Sequence, residues 1–117
     1  MKISVWVRFG LAAILAASIS GCSGLQKTQA LLDAEALYES TRQNEDVLRY
    51  ANTELDRAGQ ALEAAAQAEA EKEMNSLAYV AKVRTETAVA LAERKAASEQ
   101  LAALSKTRDQ ILYSLAP

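Results

Sequence analysis

Residues 48–65 read LRYANTELDRAGQALEAA, and their apolar positions alternate in steps of three and four. These positions are Leu48, Ala51, Leu55, Ala58, Leu62 and Ala65. On an α-helix this spacing forms a narrow apolar line on one face, as in helices that pair in coiled coils. Because large Leu alternates with small Ala, a partner helix can approach closely. The stretch predicts a helix over about residues 53–73 and a seam, a line of side chains packed on another helix, that includes Leu55, Ala58 and Leu62.

The composition predicts helices throughout. Ala, Leu, Glu, Gln and Arg, the strong helix formers, dominate the chain after residue 22, and the sole proline is Pro117. We therefore expect an all-α fold, an antiparallel helical hairpin or coiled coil, with a three-helix bundle as the alternative.

A second seam is predicted on a helix over about residues 77–112. Its members recur every seven residues, at Val83, Ala90, Ala97, Leu104 and Ile111, and Val80, Thr87, Arg94 and Leu101 fill the companion positions. Asn75 and Ser76 favour a turn, which would fold the two helices into a hairpin. This helix is longer than its partner, so the part beyond about Ser98 must pack on the first helix, join another chain or stand free.

The first helix is predicted from about Thr28 to Leu48. At residues 50–53 two alternatives stay open. Either the helix breaks there, with Asn52 or Thr53 as the cap of the next helix, or it continues without a break.

The N-terminal segment has the features of a secretory signal. Lys2 and Arg8 precede an uncharged apolar stretch over residues 9–19, followed by Ile19-Ser20-Gly21-Cys22. The sequence ISGC resembles the lipobox of bacterial lipoproteins. The alternatives are an uncleaved anchor helix and a buried, unmodified Cys22, and both fit the segment less well.

This resemblance implies cleavage between Gly21 and Cys22, with a diacylglycerol and an N-acyl group on Cys22. Residues 1–21 would be the signal peptide, residues 22–27 a lipidated tether and residues 28–117 the Ala-rich helical domain. Because Ser23 is not aspartate, the resemblance implies sorting to the outer membrane, facing the periplasm. Two or more acyl chains anchor a protein stably.

The sequence gives little support for a catalytic or a nucleic-acid-binding function. The chain contains no histidine, so the Ser/His/Asp and Cys/His nucleophile arrangements are excluded. Only two glycines follow Cys22, too few for a glycine-rich phosphate loop. A formal net charge of −2 without a basic block makes a poor nucleic-acid ligand. We expect no enzyme, no metal site, no cofactor besides the acyl groups and no nucleic-acid partner.

The stretch from Tyr50 to Ala97 resembles a family of Ala-rich bacterial lipoproteins, the domain of unknown function 4398. The resemblance rests on Tyr50, Ala51, Glu54, Leu55 and Ala58, followed by spaced Ala and Leu. The family implies an envelope location and no established activity. Many of its members carry a peptidoglycan-binding domain, which we do not expect here. The chain also lacks a C-terminal lysine, so no covalent link to peptidoglycan is expected.

Two functions remain as hypotheses. The first is a structural or adaptor lipoprotein, held to the membrane by its lipid, whose Leu/Ala faces bind a protein partner or a second copy. The second is a periplasmic module that binds a small ligand or lipid in a cavity between helices.

Overall fold

The computed structural model describes residues 24–117, which form four α-helices. Their bounds are α1 (Gln29–Thr41), α2 (Glu45–Tyr50), α3 (Asn52–Ala66) and α4 (Glu71–Leu115). The prediction of an all-α fold is confirmed. Residues 1–23, which include Gly21, Cys22 and Ser23, lie outside the described residues.

The shorter helices all pack on α4. One apolar cluster joins Leu31 of α1 and Leu62 of α3 to Met74 of α4. The other joins Val47 of α2 and Leu55 of α3 to the middle of α4. The order of these contacts makes α3 antiparallel to α4, while α1 and α2 together run parallel to it. The predicted hairpin is therefore present as α3 and α4, and α1 with α2 completes a three-helix bundle.

A break at residues 42–44 separates α1 from α2, so the prediction of one helix over residues 28–48 is wrong. The side-chain oxygen of Asn44 accepts hydrogen bonds from the backbone N–H groups of Asp46, at 3.0 Å, and Val47, at 3.3 Å. This N-cap starts a new helix. The new direction buries Val47 and leaves Leu48 exposed, so Leu48 does not belong to the seam.

The alternative of a break near residue 51 is the one present. Ala51 has φ −136° and ψ 26°, outside the helical region, and α3 begins at the next residue. No side chain caps α3, so the predicted cap by Asn52 or Thr53 is not formed. Burial of Ala51 between α2, α3 and α4 holds the bend instead.

The turn between α3 and α4 lies at residues 67–70, and the predicted turn at Asn75 and Ser76 is wrong. Ser76 is inside α4, where its hydroxyl donates to the Lys72 carbonyl at 2.9 Å, so it gains a hydrogen bond without leaving the helix. Glu71 and Glu73 occupy the first turn of α4. Carboxylates are favoured there because the N-terminal end of a helix dipole is positive.

The side chains that α4 buries form what we term the inner face: Met74, Ala78, Ala81, Thr85, Ala88 and Ala92. Leu55, Ala58 and Leu62 are buried on α3, as the seam there predicts. The residues of the predicted seam on α4, Val83, Ala90, Ala97 and Leu104, are exposed and do not face the other helices of the described chain.

Crowding explains why α4 buries its small residues. Helix α3 packs along the inner face together with α1 near Met74 and with α2 near Ala88, and alanine lets these backbones approach closely. Thr85 fits because its hydroxyl donates to the Ala81 carbonyl at 2.8 Å, which leaves no unpaired polar atom. A similar close approach occurs on α3, where a Cβ added to Gly59 would lie 2.7 Å from Tyr38 Oη.

Candidate helix-docking face

A second line of α4 residues lies on the side of the helix opposite the inner face. We term it the outer stripe: Val80, Val83, Thr87, Ala90, Arg94, Ala97, Leu101, Leu104, Arg108, Ile111 and Leu115. All of these residues are exposed. Their spacing of three and four residues continues for five heptads, longer than the three to four heptads that indicate a coiled coil.

The apolar members of the outer stripe expose large fractions of their surface. Val80 and Val83, beside the bundle, are each 40% exposed. Leu101 is 68%, Leu104 66% and Leu115 74% exposed. A long line of exposed apolar side chains is typical of a surface that binds another chain.

The C-terminal part of α4 projects beyond the bundle. The last buried residue is Ala92, and every residue from Ala97 onward is exposed. We term residues 100–115 the overhang. Of the three predicted arrangements, it does not pack on the first helix and has no packing partner within the described chain. A helix of this length is marginal alone in water.

Tyr50 makes the last contacts between the bundle and α4. Its hydroxyl donates a hydrogen bond to the Glu99 carboxylate, and its carbonyl accepts one from Lys95 Nζ at 3.3 Å. The hydrogen bond to Glu99, with desolvation as a smaller cause, raises the pKa of Tyr50 above its ordinary value of 10.0. The end of α2 is thereby held one turn before the overhang.

Replacing Glu99 by glutamine is expected to lower the pKa of Tyr50 toward its ordinary value. A raised folded-state pKa means that this contact stabilises the fold fully below the unfolded pKa, about 10, and that the contribution is lost as pH rises through the folded pKa. NMR titration of ¹³C-labelled tyrosine rings, with the Tyr50→Phe variant to assign the signal, measures the change.

Charged residues flank and interrupt the outer stripe. Glu86 and Glu93 follow one edge of its N-terminal half, and Arg94 and Arg108 lie within it. Arg108 contacts Asp109 at 3.0 Å, but both side chains are mostly exposed, so this ion pair contributes little. The Arg108 guanidinium is therefore available to a carboxylate from another chain.

Other surfaces of the described residues give weaker evidence of a binding site. A shallow, open groove between α1 and α3 is lined by Glu35, Tyr38, Glu39, Arg42, Gly59, Leu62, Glu63 and Ala66. Every buried side-chain nitrogen or oxygen in the described part of the chain has a hydrogen-bond partner. Between Gly24 and Pro117, no group of three or more His, Cys, Asp or Glu residues is placed to hold a metal ion.

Residues 29–104 match the family described as Domain of unknown function (DUF4398). The chain belongs to this family. The match begins at the first residue of α1 and ends at Leu104 in the overhang, so it extends on both sides of the resemblance at residues 50–97. No curated protein and no solved structure matches the chain. Among residues 24–117, none of the helices combines the length and the hydropathy needed to cross a membrane.

Proposed function

We propose that this member of the DUF4398 family is a small, lipid-anchored protein of the bacterial cell envelope with a structural or adaptor role. It acts through helix–helix contacts made by the outer stripe of α4 and performs no catalysis. The observation that carries this proposal is the outer stripe itself, five heptads long and exposed on both the bundle and the overhang.

The anchor is argued from the sequence ISGC at residues 19–22 and from the path of the chain that follows it. Lys27 Nζ contacts Glu35 Oε1 at 2.8 Å, and the Thr28 N–H donates to Met74 Sδ at 3.4 Å. These contacts hold Thr28 at the Met74 end of α4 and Lys27 against α1, which supports an anchor on this side of the bundle. The end of the overhang lies about 60 Å away, at 1.5 Å per residue. The anchored end and the overhang are thus at opposite ends of the long helix.

Photo-crosslinking in bacterial cells tests the contact surface. A photoreactive amino acid at Leu104 or Ile111, on the outer stripe, is expected to give a discrete crosslinked product. The same amino acid at Lys106, which is exposed on the opposite face of the overhang, is the matched control and should give none. Equal products from all three positions, or none from the stripe, would show that the outer stripe is not the working surface.

The anchor is tested separately. Replacing Cys22 by alanine is expected to abolish incorporation of labelled fatty acid and to release the protein from the outer-membrane fraction. Retention of the label in this variant would refute lipidation at Cys22.

A further inference from the structure

We infer that the outer stripe is covered by a second copy of this chain, bound antiparallel, with Leu101 of each copy against Ala97 of the other. This inference rests on the proposed function, in which the outer stripe works through helix contacts. It names the partner and the register, which the proposed function leaves open.

The first argument is size. Apart from Arg94, the N-terminal half of the outer stripe holds small or short side chains, and the large apolar side chains Leu101, Leu104, Ile111 and Leu115 lie in the C-terminal half. In the antiparallel register Leu115 meets the partner's Val83, and Ile111 meets the partner's Thr87. Large side chains then face small or short ones in every layer except the one in which Leu104 meets the partner's Arg94, and this arrangement lets facing layers interdigitate. A parallel pair would instead place each residue against its own copy.

The second argument is charge. Arg108 faces the partner's Ala90, which has the partner's Glu86 one turn before it and the partner's Glu93 one turn after it on the same edge. With the partner's Arg94, these side chains form a cluster of two cations and two anions. Charges beside a coiled-coil seam select partner orientation. A parallel pair would place Arg94 and Arg108 against their own copies, and like charges in one layer repel.

The third argument is length and access. The pairing spans residues 83–115 of both copies, so each overhang lies along the part of the partner's α4 that carries the bundle. The bundles occupy the inner faces, on the far sides of the paired helices, and do not obstruct the contact. Each overhang thereby gains the packing partner that it lacks in a single chain.

The register also places the two anchored ends. The Met74 positions of the two copies lie about 75 Å apart, at opposite ends of the dimer. The six-residue tether reaches about 20 Å when extended. A dimer with both lipids in one membrane therefore lies along that membrane rather than standing upright on it.

Crosslink mapping on the full chain, purified from bacterial membranes in mild detergent, tests the register. A photoreactive amino acid at Ile111 is expected to give a product of twice the monomer mass. After trypsin, its partner peptide should be residues 85–94, which contain Thr87. A link within one chain is ruled out because residues 87 and 111 lie about 36 Å apart on one helix. A link to residues 109–117 would indicate a parallel pair, and one to residues 96–106 a different register. Either result would overturn the inference.

A charge exchange tests the cluster. Arg108→Glu is expected to raise the dimer dissociation constant at least tenfold, because it places a carboxylate between two others. Adding Glu86→Arg to the same chain returns the cluster to two cations and two anions and should restore dimerisation. Lys106→Glu makes the same charge change on the opposite face and should leave the dissociation constant unchanged.

The outcomes separate this inference from the proposed function. A monomeric purified chain whose stripe still crosslinks to a different protein in cells overturns the dimer and leaves the proposed function standing. An unchanged dissociation constant in Arg108→Glu also overturns the dimer geometry. Absence of any product from the stripe overturns both.

Discussion

Glutamate at position 88 is expected to unfold the three-helix bundle. Ala88 is fully buried on the inner face of α4, within the cluster that holds Val47, Ala51 and Leu55. A carboxylate there would have to displace these side chains or lose its hydration without a cationic partner, at a cost of several kcal/mol. Because small domains are stable by only about 5–15 kcal/mol, this cost removes much of the total. Circular dichroism of the full chain should show the melting temperature of Ala88→Glu lowered by about 10 °C or more.

Ala90→Glu is the matched control for this experiment. Position 90 lies on the same helix, about 200° around the axis from position 88, and is exposed on the outer stripe. The substitution and its small helix-propensity cost are the same, so only burial differs. Measured at protein concentrations at which the chain is monomeric, the free energy of unfolding should change by no more than about 0.5 kcal/mol. A reversed result, with Ala90→Glu as the destabilised variant, would mean that α4 packs through the seam that the heptad spacing suggested.

The two seams show when the spacing of apolar residues predicts the buried face of a helix and when it does not. On α3 the alternation of Leu and Ala identified the buried side, because only one face of that helix is apolar. On α4 two faces share the three-and-four spacing, one lined with alanine and one with Val, Leu and Ile. Spacing groups residues on a face but does not say which face the rest of the chain covers. The larger residues suggested the wrong side, since close packing against several helices selects for small side chains.

The helix breaks differ in how clearly the sequence signals them. The cap at Asn44 was accessible from the sequence, because Asn followed by Glu45 and Asp46 is a typical helix start. The apolar positions on both sides of Asn44 favour one continuous helix over residues 28–48, and this longer pattern outweighs the signal of the cap. The turn at residues 67–70 contains no glycine, proline or asparagine and carries no such signal. Its position depends on burial of Met74 and Ala68, a tertiary effect.

The candidate helix-docking face was also only partly predictable from the sequence. The heptad spacing predicted the members of the outer stripe except Arg108 and Leu115, and it left open what the part beyond Ser98 packs on. Their exposure, and hence their availability to another chain, depends on which face of α4 the other helices cover, and the spacing alone does not give this. The lipidation prediction at Cys22 lies outside the described residues and stays a prediction.

Met74→Ala is expected to cause the largest loss among substitutions that only remove atoms. Met74 is fully buried at the start of α4 and packs in the cluster that contains Leu31, Leu62 and Ala65. Removing a buried side chain of this size leaves a cavity and costs about 2–5 kcal/mol. The variant also loses the sulfur that accepts the Thr28 N–H, so the N-terminus of α1 should detach first. Hydrogen exchange at residues 28–34 should therefore speed up more than exchange in α2.

Met74→Leu separates these two contributions. Leucine keeps nearly the same volume, and such exchanges usually cost less than about 1.5 kcal/mol, but it cannot accept the Thr28 N–H. If packing dominates, Met74→Leu should melt close to the unaltered chain while exchange at residues 28–34 still rises modestly. If Met74→Leu instead melts as low as Met74→Ala, the sulfur contact is what joins α1 to α4.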